Sequence, residues 1–208
     1  SVHPADDVAA RDLLHSELRW SYTVHLSALA KYLEAKIERG ELDFMYAYGR
    51  ASLLHYACWM LDHERPYFDR AEQLEYPTET WAAQEMRKAS VFRLAARHAA
   101  EPLRRRLLDC GRQFAERAWS DLLAFASRHA ARPAAILMTE GMRDQYWRVV
   151  DESPAPPPDA EHDFGPPAPF VTQRQRVLRR LKTPRGMLAA AASLAHPGHW
   201  PTFWRNRK

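Results

Sequence analysis

Glycine is scarce in this chain, seven residues in 208, and cysteine is scarcer, with two. No Gly-rich phosphate loop is present, nor a nucleophile elbow, nor an HExxH metalloprotease motif. No cofactor is therefore expected. Cys58 and Cys110 lie far apart in sequence, which disfavours a zinc cluster or a disulfide framework. They read as two buried thiols in a reducing compartment. Runs of about 18 or more apolar residues, the minimum for a membrane span, are absent. The opening residues SVHPADDVAARD lack the basic start and apolar stretch of a secretory signal. A cytoplasmic location is expected on these grounds.

Acidic residues are missing from one region entirely. Of 30 Lys and Arg, nine fall within residues 173–208, where there is no Asp or Glu. The rest of the chain then holds 21 basic and 26 acidic residues, a net of −5 beneath an overall +4. The sequence describes a mildly acidic body and a strongly basic tail.

Ala, Arg and Leu are what the chain has most of, and together with its glutamates they favour helix. Leu14, Leu18, Tyr22, Leu26, Leu29, Leu33 and Ile37 recur at steps of three and four, predicting helix from Pro4 to about Glu38 with a break near Ser21. Gly40 suits the left-handed residue after a helix. A second helix is predicted from about Leu42 to His63, apolar on more than one side and so buried from several directions. The short turn between the two makes them an antiparallel αα-hairpin. A longer connection follows, and a third helix spans about Thr78 to Ala100, with Met86, Ala89, Phe92 and Ala96 on one stripe. The fourth runs from Glu101-Pro102 to about His129, with Leu103, Leu107, Cys110, Phe114, Ala118, Leu122 and Phe125 inward. AAILMT reads as a short helical or extended piece, and Met142 to Val150 as a further helix.

Seven of the sixteen residues 154–169 are proline, which reads as an extended linker. The expected organisation is an all-α domain over residues 1–150, a Pro-rich linker over 151–172 and a basic, aromatic extension over 173–208.

Three places can carry chemistry. At LEYPTETWAAQEMRK, Thr78 or Thr80 can cap a new helix, and Glu79 in its first turn gains about 0.3–1 kcal/mol from the helix dipole. The same residues can rim a cavity, with Glu75, Glu79 and Glu85 as carboxylates and Trp81 as a face for a sugar ring. At HYACWMLDHE, the metal-capable residues His55, Cys58, Asp62 and His63 share one helix, but zinc needs ligands that converge from more than one direction, so no metal site is expected. Met138, Met142, Tyr146 and Trp147 can be read as a ligand pocket, although such spacing more often marks core.

The successive hairpins, through GELDFMYAYGRASLLHYACW, YPTETWAAQEMRKASVF and the helix closing near Phe125, resemble the α/α-toroid (six-hairpin) proteins. The resemblance covers about residues 20–150 and amounts to part of a ring. It implies a carbohydrate ligand, with glycan binding, glycoside hydrolysis or epimerisation as the activity. Glu79, Asp43 and Glu75 would be the catalytic acids, and Trp81, Tyr46 and His55 would contact the substrate. The competing expectation is a non-catalytic helical module. Its basic extension would dock on an anionic membrane surface or a protein partner through Arg179, Arg180, Trp200 and Trp204. Nucleic acid is the weakest of the partners considered.

Overall fold

The computed structural model of the protein describes residues 2–126, 131–150, 153–167, 171, 175, 178, 179 and 181–184. The chain divides into two units, Val2–Pro167 and a second one over 168–208. In the second, the described residues include one helical turn, in which the Lys182 N–H donates to the Leu178 carbonyl at 3.1 Å.

The first unit is all-helical. After a short turn at Ala9–Arg11 come α1 (Ser16–Arg19), α2 (Ser21–Glu38) and α3 (Phe44–His63). A kinked stretch of helical turns, Tyr67–Gln73, leads to α4 (Glu79–His98) and α5 (Leu103–Ala124). Then α6 (Ala131–Ile136), a π-helical turn (Leu137–Gly141) and α7 (Met142–Val149) follow one another directly. AAILMT is therefore helical, and the break expected near Ser21 falls at the junction of α1 and α2. The fourth helix begins one residue after Pro102 and stops at Ala124, short of the expected His129, with Phe125 already extended.

Two antiparallel hairpins make the body. Gly40, at φ +67°, turns α2 into α3, as a residue free of the Cβ penalty should. Asp43 caps α3 by accepting from the Met45 and Tyr46 N–H groups, both at 3.1 Å. In the second hairpin Gly111 lets α5 lie directly on α4. A Cβ there would meet the Ala89 carbonyl oxygen and Phe92 Cβ, each at 3.2 Å.

The most buried helix is α4, not α3. Fifteen of its twenty residues are buried, among them Glu85, Lys88 and His98. It pairs with α5 through Phe92 and Phe114, whose rings lie 5.4 Å apart, and also packs on α2, α3 and α6. A single apolar stripe predicts one buried face here; on the other faces alanines are buried beside polar residues, of which Gln84, Glu85, Lys88 and Ser90 find partners.

Residues 153–164 form neither helix nor strand, and they lie on the helical body within the same unit. The Ala155 N–H donates to the Arg97 carbonyl at 2.7 Å, and the Asp159 N–H to the Leu42 carbonyl at 3.0 Å. Phe164 packs against Phe44 and Tyr48. The segment is a strap over the start of α3 and not a free linker.

Candidate anion-binding groove

The residues predicted for chemistry do not converge. Asp43 begins α3 and Glu79 begins α4. Tyr46 near the start of α3 faces His98 at the end of α4, so these two helices run antiparallel. Their N-termini are at opposite ends of the bundle, separated by about a helix length, roughly 30 Å for twenty residues. The Asp43 carboxylate is committed to its cap and to Lys36, whose Nζ lies 2.8 Å from Oδ2. That lysine, first among its contacts, holds the carboxyl below the usual range. Glu75 is exposed, and its N–H donates to Glu17. Thr78 occupies the N-cap position of α4 without any side-chain capping bond.

The aromatic candidates are used structurally. Trp81 is buried against Tyr67, with ring centroids 4.9 Å apart. Tyr46 is fully buried and donates its hydroxyl to the Pro156 carbonyl under the strap. His55 bonds to the Asp6 carbonyl at 2.8 Å. Both thiols are free and partly buried, and burial pushes Cys110 up to about 11. Among the described residues no three metal-capable side chains converge, and no helix is long and apolar enough to cross a membrane. Arg179 is exposed, while Arg180, Trp200 and Trp204 lie outside the described residues.

Two constellations that sequence reasoning missed are present instead. The first is a buried ion cluster at one end of the bundle. Lys88 Nζ, from α4, lies 2.8 Å from Glu64 at the end of α3 and 3.2 Å from Glu85 one turn back. It donates to the Arg65 carbonyl at 2.7 Å and sits 3.6 Å from the centre of the Tyr67 ring. The Tyr22 hydroxyl donates to Glu64, and the Tyr67 N–H donates to Glu85 Oε2. One lysine faces two carboxylates, so a single proton neutralises the cluster. Burial is the main reason the Glu85 carboxyl is raised to about 7, and it outweighs the pull of Lys88. The adjoining cavity has room for only about 10 Å³, roughly one water. This cluster is built for packing.

The second is an open groove of about 600 Å³ between α4, α5 and the end of α7. Arg93 and Arg97 reach it from α4, Arg104 and Arg112 from α5, and Arg148 from α7, beside Trp147. Steps of four along α4, and of eight along α5, put each helix's pair on one face. Acids answer part of this charge. Asp144 accepts from Arg148 at 3.1 Å, Asp109 from Arg112 at 2.9 Å, and Glu34 from Arg97. Arg93, stacked 5.7 Å from the Trp147 ring centre, is poorly satisfied by carboxylates. It is 13% exposed, its nearest carboxylate oxygen is 3.9 Å away on Asp144, and its Nε has no acceptor among the described residues. A desolvated guanidinium with a distant counter-ion is poised for an anion. The arginines are spread over three helices, and no local motif announces them.

Comparison with protein-family models, curated proteins and solved structures gives no match for this chain.

Proposed function

We propose that this protein is a non-catalytic helical module that binds an anionic partner in the arginine groove. One observation carries the reading: five guanidinium groups from three helices line a single open concavity of ligand size. The carbohydrate reading stays within this proposal in a narrower form, with an acidic glycan as one of the ligands the groove suits. Hydrolysis by Asp43 with Glu79 is no part of it, because the two are at opposite ends of the bundle. The partial-ring, α/α-toroid-like architecture is likewise a proposal, and the groove does not depend on it. A reducing, cytoplasmic compartment fits the two free thiols.

The test is calorimetric titration of the full chain with inorganic tripolyphosphate and with heparin. Arg112→Glu together with Arg148→Glu reverses two of the more exposed groove cations. The expected result is saturable binding that weakens with salt and falls at least about tenfold in the double variant, the worth of one or two charge-assisted bonds. The nine cations of residues 173–208 would bind anions regardless of the groove. Affinity unchanged in a folded double variant would therefore assign binding elsewhere and overturn the reading.

A further inference from the structure

The helix that ends at the groove presents an apolar face outwards. Met138, Met142, Tyr146 and Val149 are 71%, 67%, 49% and 82% exposed. Their steps of four, four and three place them on one side of the helix, over about three turns or roughly 16 Å. The opposite face, with Ile136, Glu140, Gly141 and Asp144, is the buried one. Ile136 packs there with Ala82, Ala83 and Leu122, and Leu137 and Trp147 lean on the core, while the other buried residues of that face are small or polar. Ser90 donates to Glu140 at 2.6 Å, and the Trp119 indole N–H to Asp144 at 3.1 Å. The expectation that Met138, Met142 and Tyr146 belong to the core is thus corrected. An apolar stripe of this length on the outside of a helix marks a contact surface.

The stripe and the groove are continuous. Val149 belongs to both, since it lines the groove and is the most exposed member of the stripe. A shallower depression lined by Glu116, Trp119, Gln145 and Arg148 shares Arg148 and Glu116 with the groove and extends it along α7. One ligand that uses the whole surface needs anionic groups for the arginines and apolar side chains for the methionines.

We infer that the partner is an acidic amphipathic helix of another protein, laid along α7 with its carboxylates in the arginine groove. This rests on the anion-binding reading above and deepens it. Charge complementarity and the three-turn apolar stripe both match helix-in-groove recognition, in which anchors recur every three or four residues. Methionine and arginine are the residue types such surfaces favour. A flat anionic membrane fits less well. Arg93 and Arg97 are 13% and 21% exposed, recessed where a headgroup plane does not reach. A nucleic acid would leave the methionines unused.

The experiment uses the full chain and a labelled synthetic helix of about 18 residues, roughly five turns, with glutamates on one face and leucines on the other. A scrambled peptide of identical composition keeps the charge and removes the apolar face. Fluorescence anisotropy compares the unaltered protein with a stripe variant (Met142→Ser, Tyr146→Ser) and the groove variant (Arg112→Glu, Arg148→Glu), each checked for helicity by circular dichroism. The amphipathic peptide is expected to bind about tenfold more tightly than the scrambled one, the worth of one or two buried apolar side chains. The stripe variant should erase that advantage and leave the scrambled peptide unaffected, while the groove variant should weaken both. Equal binding of the two peptides, or no effect of the stripe variant, overturns this inference and leaves the anion-binding reading standing. No effect of the groove variant on either peptide overturns both. Phosphatidylserine vesicles that bind the unaltered protein but not the stripe variant would reassign the surface to membrane.

Discussion

Replacing Glu85 with glutamine isolates the proton that the buried cluster holds. The carboxyl titrates near 4.5 in the unfolded chain and is raised to about 7 in the fold, chiefly by burial. A raised carboxyl binds its proton more tightly when folded. Its contribution to stability is fully present below about pH 4.5 and is lost as the pH climbs through about 7. At about 1.4 kcal/mol per pH unit, the shift amounts to roughly 3 kcal/mol across the window, and the side chain is too buried for solvent to screen much of it. Glutamine cannot ionise, so Glu85→Gln removes this dependence. Its amide also places an N–H₂ group near Lys88, which costs stability by a similar amount at every pH. The slope with pH is therefore the quantity to read, not the offset. Urea unfolding of both proteins, followed by helical circular dichroism between about pH 5 and pH 8, yields the difference in stability at each point. The unaltered protein should lose up to about 3 kcal/mol relative to the variant as the pH rises. A difference that stays constant over the window, or that changes in the opposite sense, would refute the assignment of a raised carboxyl to Glu85.

His98 acts with the opposite sign. Burial, then repulsion from Arg50 and Arg97, lowers it to about 3, and Glu34, 3.7 Å away but bonded to Arg97, does not offset this. The unaltered protein should lose stability as the pH falls from about 6.5 towards 3, by several kcal/mol, and His98→Met should abolish that loss in the same unfolding assay. Lys88→Met strands the Glu64 carboxylate in the interior and is expected to cost about 3–5 kcal/mol. Adding Glu64→Gln should recover part of that cost in chemical denaturation. Gly111→Leu drives a side chain into the α4 backbone and is expected to cost about 1–3 kcal/mol through overpacking, with a correspondingly lower melting temperature.

The helices were legible because their apolar spacing and breakers agree. Gly40 and the Leu26 to Leu33 rhythm place the turn of the first hairpin, although the helix expected from Pro4 begins only at Ser16, and the Phe114 to Leu122 stripe places α5 within a few residues. The roles of individual polar residues were not legible. Asp43 looks like a free acid at a hairpin end until its two capping bonds and Lys36 are seen. Glu85 and Lys88 are three apart on a helix, a spacing that usually means an exposed pair. Only Glu64, contributed from the end of α3, turns them into an interior cluster. The arginines of the groove are separated by up to 55 positions, from Arg93 to Arg148, and nothing in local periodicity gathers them.

Helix α7 shows most directly why pattern reading fails here, and why the failure points towards function. Periodicity assigns the apolar side of a helix to the core, because burial of that side is what ordinarily holds a helix in place. Leu137 and Trp147 do pack against the core, but the rest of the core-facing side, in the π-helical turn and α7, is held by hydrogen bonds from Ser90 and Trp119 to Glu140 and Asp144, and by the close approach of Gly141 to Trp119, whose ring a Cβ would meet at 3.4 Å. The same two acids also accept from Arg143 and Arg148, in the helix itself. Polar anchoring of this kind leaves Met138, Met142, Tyr146 and Val149 free, and leaving them exposed costs solubility without contributing to the fold. A helix attached by its polar face, apolar on its outer face and ending in a cationic groove makes sense when its outer face has a partner. The buried charges of the π-helical turn and α7 and their exposed methionines are on this argument two consequences of one requirement.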